Sequence, residues 1–252
     1  MRMNDETTEG PLLIKPGFVW DAEDAYLFDI DGTLLRSRDR IHFNAFAESA
    51  RELGFAISLD GVVLHGGTDT AILAEAFALA GIERERWEPH NAAILEAMRR
   101  TIAERRAEMQ LWMMPAVEET LAHLAGRGAL LGVATGNLEA IGWTKVELMG
   151  LREWFRFGGF SDRYEIRADM VAEAVRQART LLPDVAEPKI CVVGDTPRDI
   201  EAARANGLRV IAVATGNYSF EELTALEPDV CVESFAMLPG LRMNADAAGA
   251  AR

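Results

Sequence analysis

The sequence is poor in the residues that hold soft metals or cross-link a chain, with two cysteines and four histidines in 252 residues. Cys191 and Cys231 each lie inside a short apolar run, so they read as small core residues and a disulfide framework is not expected. The histidines, at positions 42, 65, 90 and 123, are scattered, and no His/Cys cluster with zinc-ligand spacing is present. Positive charge is short as well: 26 basic against 40 acidic residues leave a formal charge of -14. That balance argues against a nucleic-acid or anionic-membrane partner except at a local patch. No apolar run approaches the roughly 20 residues of a membrane span, and Met1 to Gly10 is polar and acidic without the apolar stretch of a signal peptide. The expectation is a cytoplasmic protein, not exported and without a membrane partner.

What the chain does have is ample core material, with 49% hydrophobic residues, enough for one large domain or for a core carrying a smaller second one. Its organising stretch is Ala25 to Leu35. The apolar run Tyr26 to Phe28 reads as a strand buried on both faces, and it ends abruptly in Asp29 and Asp31 around Ile30. In extended backbone Asp29 and Asp31 share one side while Ile30 points to the other. Two like charges so placed repel unless a cation or a shared proton offsets them. Gly32 allows a sharp turn and Thr33 adds a hydroxyl beyond it. The carboxyl end of a buried strand is where open α/β sheets place ligands.

Residues 1 to about 20 carry little periodicity and read as a loose lead-in, with Leu12, Leu13, Ile14 and Val19 packing on the domain edge. Apolar residues recur at helical spacing from Ile41 to Leu53, and Gly54 stops that helix. A second helix follows Gly66-Gly67-Thr68-Asp69, capped by Thr68 or Asp69. The stretch Glu85 to Trp112 reads as long, charged and helical, its arginines at 99, 100, 105 and 106 forming a solvated face. Nothing between 36 and 112 has a strong strand pattern, so this part reads as a helical insertion. From Pro115 onward helices and short apolar strands alternate, with strands at 129–134, 190–193, 210–213 and 230–232 and a weaker segment at 155–160. The fold class is therefore α/β, a Rossmann-like parallel sheet with helices on both faces. Residues 1–35 and 113–252 form the core, and 36–112 an all-helical domain inserted over the carboxyl edge of the sheet. The tail Asn244 to Arg252, rich in Ala and Gly, is expected to fray.

Three strands end in polar residues: Asp29 and Asp31; Thr135-Gly136-Asn137; and Gly194-Asp195, with Asp199 four residues on. Singly such residues often cap the next helix. Together, Asp29-Ile30-Asp31-Gly32-Thr33, Thr135 and Gly194-Asp195-Thr196-Pro197-Arg198-Asp199 resemble the motifs of the haloacid dehalogenase superfamily. The likeness is to its magnesium-dependent phosphatases with a helical cap, phosphoglycolate phosphatase-like and β-phosphoglucomutase-like, and it covers residues 24 to about 240. The family's third motif, a lysine or arginine, falls best on Arg167, with Lys145 in reserve. Thr215, in the echo Val-Ala-Thr-Gly-Asn at 213–217, serves a strand-to-helix turn in this reading.

The resemblance implies a phosphatase acting on a small phosphorylated metabolite through an aspartyl phosphate. Asp29 would be the nucleophile and Asp31 the acid–base residue, with Thr135 and Arg167 completing the catalytic set. Phosphate binding would fall to Thr135, Gly136, Arg167, Ile30 and Asp31. Magnesium suits the oxygen-only ligands Asp29, Asp31 (through its carbonyl), Asp195 and Asp199. Asp31 speaks against dehalogenation, since the family's dehalogenases lack that second carboxylate. His42, near the start of the insertion, motivates a second reading as a sugar-phosphate mutase, and a third is a non-catalytic protein that binds phosphorylated ligands. Substrate selection is expected from insertion residues around His65 to Asp69. The sequence carries no sign of oligomeric state.

Overall fold

The computed structural model describes residues 10–241. Its first element, β1 (Leu12–Ile14), lies in the expected lead-in and is a strand only because it pairs antiparallel with the last one, Leu12 opposite Val232. Three residues are too few to show alternation, so the sequence hides it. β2 (Ala25–Phe28) is the expected buried strand. β3 (Leu35–Ser37) follows the turn, and α1 (Ile41–Glu52) ends before Gly54, whose φ of 85° suits glycine. α2 (Asp69–Leu79) is capped by the Thr68 hydroxyl, which accepts from the Ala71 N–H.

The single helix expected over 85–112 is broken. The chain forms α3 (Arg84–Trp87), a 3₁₀ turn at Glu88–His90, α4 (Asn91–Glu104) and then a strand, β4 (Leu111–Met113). Pro89 lacks the N–H a continuous helix would need. β4 pairs antiparallel with β3, Arg36 opposite Trp112, so the expectation of no strand between 36 and 112 is corrected by a ribbon too short to carry a pattern. The four arginines of this stretch are paired with carboxylates: Arg99 with Asp162, Arg100 with Glu52, Arg105 with Glu108 and Arg106 with Glu147.

The remainder alternates as the pattern requires. In order come α5 (Val117–Gly126), β5 (Leu130–Ala134), α6 (Glu139–Leu148), β6 (Phe157–Gly159) and α7 (Arg167–Leu181). They are followed by β7 (Ile190–Gly194), α8 (Pro197–Ala205), β8 (Arg209–Val213), α9 (Phe220–Thr224) and β9 (Val230–Val232). The tail 244–252, and the polar start before residue 10, lie outside the described residues.

The seven-stranded sheet runs β1-β9-β8-β7-β2-β5-β6, parallel except for β1. Alternate residues of β2 enter different cores: Tyr26 and Phe28 on one face, Ala25 and Leu27 on the other. Both faces are thus covered, the condition for a parallel sheet. β2 lies between β5 and β7, with Phe28 opposite Val133 and Val193, so the three strands that end in polar residues stop at one level. A third core joins α1, α2 and α4, including Phe46, Phe77 and Met98, and takes in Leu138 and Ile141 at the start of α6. The helical layer is fastened to the loop before α7: the Thr68 and Thr70 hydroxyls donate to the carbonyls of Glu165 and Tyr164, both at 2.8 Å, and Arg84 pairs with Glu165.

Candidate active site

A cavity of about 280 Å³ opens at the carboxyl ends of β2, β5 and β7 and is roofed by α1 and α2. Asp29, Asp31, Thr135, Gly136, Arg167 and Asp195 all line it, so the structure gathers the separate strand ends predicted to converge. Ile30 turns away and is wholly buried in the core, as the alternation requires. Asp31 and Gly136 keep N–H groups that donate to no backbone carbonyl among the described residues.

Two charge clusters divide the rim. In the first, Asp29, Asp195 and Asp199 are buried and bring carboxylate oxygens within 4.8 Å of one another. Arg167, at the first turn of α7, reaches Asp29 at 3.0 Å and Asp199 at 2.6 Å, and its Nη1 donates to the Gly66 carbonyl at 3.2 Å. One guanidinium facing three carboxylates leaves two negative charges in a poorly solvated place. Burial and the neighbouring carboxylates push Asp29 up to about 6, against Arg167, and raise Asp195 well above the usual range for the same reasons. Burial opposes the charge of Arg167, but Asp199 and Asp29 outweigh it and raise its pKa. Asp195 also accepts from the Thr33 hydroxyl at 3.0 Å and is boxed by two glycines. A Cβ on Gly32 or Gly216 would meet its carboxylate at 2.3 or 1.7 Å. Asp199 is less free than its neighbours: it closes a capping box with Thr196 at the start of α8 and takes both nearby Arg167 nitrogens.

The second cluster surrounds Asp31. Its Oδ2 accepts from Lys145 Nζ at 2.6 Å and from the Asn137 side-chain amide at 2.8 Å. Burial opposes ionisation there, but the Lys145 charge, helped by His42 and by both hydrogen bonds, holds the Asp31 carboxyl below the usual range. Lys145 also reaches Asn137 Oδ1 at 2.8 Å and His42 Nδ1 at 3.1 Å. His42 Nε2 lies 3.2 Å from Asp69, whose carboxylate accepts from the Leu138 N–H and whose own N–H donates to the Gly136 carbonyl at 2.7 Å. Lys145 and His42 are therefore in the site. From sequence Asn137 has no role beyond a polar strand end and Asp69 only that of a helix cap or of a substrate-selecting residue, and the structure puts both in this cluster. The available signal was a lysine at helical spacing among Ile141, Gly142 and Val146 on the buried side of α6.

The other singled-out residues lie apart from these clusters. Thr215 donates to the Gly32 carbonyl at 2.6 Å and so braces the turn after Asp31. His65 meets Asn217 at the cavity edge, His90 packs edge-on against Phe55, and His123 stacks on Trp20 and reaches Asp21 at 2.7 Å. Cys191 and Cys231 are buried and unpaired. Among the described residues no helix is long and apolar enough to cross a membrane.

The model of the family described as haloacid dehalogenase-like hydrolase matches residues 26–213. A putative pyrophosphatase, PpaX, from Caldanaerobacter subterraneus is 26% identical over 215 residues, covering 85% of this chain and 92% of that one. A phosphoglycolate phosphatase from Synechococcus elongatus is 28% identical over 214 residues, covering 83% and 92%. Among solved structures, CbbY from Rhodobacter sphaeroides in complex with phosphate superposes with a TM-score of 0.62 at 24% identity, covering 86% of this chain and 96% of that one, a likeness of fold. With its motifs gathered at one rim and the family's model spanning most of its length, this chain belongs to the haloacid dehalogenase-like hydrolases.

Proposed function

We propose that the protein is a divalent-cation-dependent phosphatase that hydrolyses a small phosphomonoester through an aspartyl phosphate on Asp29. The observation that carries this reading is the division of the rim into three carboxylates that share one guanidinium and, apart from them, an Asp31 matched by its own ammonium, Lys145. The carboxylates of the first group fit a hard cation: all three are buried oxygen donors, and burial with the neighbouring carboxylates raises Asp29 and Asp195. Asp29 and Asp195 would hold magnesium, Asp199 and Thr33 keeping them in place. When bound, the ion offsets the charge of the phosphoryl group and of the nucleophile.

The side chains then take separable parts. Asp29 attacks phosphorus, and Arg167, already on its carboxylate, neutralises a phosphoryl oxygen. The Thr135 hydroxyl and the N–H groups of Asp31 and Gly136, residues that line the cavity, would bind the other oxygens. Asp31, ionised in the free site, would take up the proton of the bound phosphomonoester monoanion, pass it to the leaving oxygen, and then withdraw one from the water that frees the enzyme. Helices α1 to α4 act as a cap that shuts out bulk water and large substrates. The names of the relatives, a phosphoglycolate phosphatase and a putative pyrophosphatase, place small phosphorylated compounds first among substrates to try. The mutase reading gains nothing from His42, since both ring nitrogens are engaged by Lys145 and Asp69. Phosphate release from a panel of small phosphomonoesters and pyrophosphate, with magnesium and then with chelator, tests the proposal. Release that stops on chelation is expected; no release from any compound would overturn it.

A further inference from the structure

Lys145 is a fully buried lysine outside the α7 position where the phosphoryl-binding cation sits, and its surroundings can be settled by counting hydrogens. An ammonium has three N–H donors and no acceptor. Three acceptors lie in reach: Asp31 Oδ2 at 2.6 Å, Asn137 Oδ1 at 2.8 Å and His42 Nδ1 at 3.1 Å. None of its hydrogens is left for a phosphoryl oxygen. We propose that Lys145 is a positioning residue, a single buried ammonium that orients the acid–base carboxylate and, through Asn137, aims the Thr135 hydroxyl at the phosphoryl group.

Each contact fixes the next. With its carbonyl oxygen on Lys145, the Asn137 amide must turn its NH₂ toward Asp31 Oδ2 at 2.8 Å and Thr135 Oγ1 at 2.7 Å. Thr135 Oγ1 accepts there and from the Asn137 backbone N–H at 3.4 Å, while its own proton finds no protein acceptor among the described residues. That proton is left for a ligand at the cavity wall. On Asp31, Oδ2 takes both Lys145 and Asn137, so Oδ1 is the oxygen free to exchange a proton with substrate or water. On His42, Nδ1 accepts, so the ring is the neutral tautomer with its proton on Nε2, facing Asp69. The rotamers of two catalytic groups, one amide and one ring thus hang on one ammonium.

The inference rests on the phosphatase reading for its kinetics but has a readout of its own. In Lys145→Met, kcat/KM for an alkyl phosphate, whose leaving oxygen needs a proton, is expected to fall about a hundredfold. For p-nitrophenyl phosphate, whose leaving group needs none, only the loss of the Thr135 aim remains, and the fall should be about tenfold or less. Added ethylammonium should restore part of the alkyl-phosphate rate in Lys145→Ala. An equal fall for both substrates would make Lys145 a general phosphate-binding charge and overturn the proposal. Imidazole ¹⁵N shifts of His42 give the second measurement: the Nε2–H tautomer in the parent protein and a tautomer mixture in Lys145→Gln are expected. An Nδ1–H ring in the parent protein would overturn the network whether or not any phosphate is released. A parent protein silent on every ester but showing the Nε2–H ring would instead sink the phosphatase reading and leave the network standing.

Discussion

The two halves of the rim contain the same ingredients in different proportion. Around Arg167 three carboxylates share one cation, and the proton affinities of Asp29 and Asp195 rise; around Lys145 one carboxylate, Asp31, has a cation and an amide, and its proton affinity falls. The first half carries negative charge in excess, which on the proposed reading a divalent ion would offset. The second is finished within the protein, every hydrogen of its ammonium spent before substrate arrives. Reactive groups need both conditions: a nucleophile that gains from its ligand, and an acid–base group whose geometry does not wait for one.

Substitutions can break this contrast in a definite order. Asp29→Asn removes the attacking oxygen and should lower kcat by at least about 10⁴-fold, as read by phosphate release. Survival of activity would show that the crowded half does not host the nucleophile. Asp31→Asn keeps the shape but loses proton transfer, and should cost about 10²- to 10⁴-fold in kcat with little change in KM. Gly136→Ala should be milder in chemistry but disruptive in fit, because the new Cβ would meet the Gly67 carbonyl at 2.0 Å and push the helical layer off the Thr135 loop. A rise in KM of about tenfold, with the fold intact by circular dichroism, is expected if displacement weakens substrate binding by about 1.4 kcal/mol.

The smallest effect is on stability and has opposite signs in the two halves. Asp29 goes from an ordinary 3.8 to about 6, so the folded state without cation binds its proton more tightly than the unfolded one. Stability from that group is present at low pH and lost as pH rises from about 4 to about 6, and Asp195 acts in the same direction. Asp31, depressed in the fold, contributes above its unfolded value and loses that contribution as pH falls. Magnesium should therefore raise Tm by several degrees at about pH 8 and by much less at about pH 5. An equal rise at both would remove the excess negative charge as its cause.

Much of this was legible because the decisive signals are local. A buried strand ending in Asp29-Ile30-Asp31, and others ending at Thr135 and Asp195, can be read within a few residues, and sheet order then makes them neighbours. What escaped depends on partners far along the chain. β1, β3 and β4 have three residues each and exist through pairing with β9 or with one another. Pro89 was a visible break, but the charged helical pattern on either side of it masked the interruption. Asn137 and Lys145 are eight residues apart in sequence, yet their meaning comes from Asp31 and His42 more than a hundred residues upstream of Lys145. No window along the sequence contains that geometry.

The threonine fastening of α2 gives the roof and the guanidinium a common anchor. Thr68 and Thr70 hold the backbone at Glu165 and Tyr164, two and three residues before Arg167, whose own side chain returns to the Gly66 carbonyl in the same loop as Thr68. Lifting the roof therefore tugs at both ends of the arm that steadies Asp29. On the proposed reading, access to the chamber and the hold on Asp29 are joined through two hydroxyl groups of the roof.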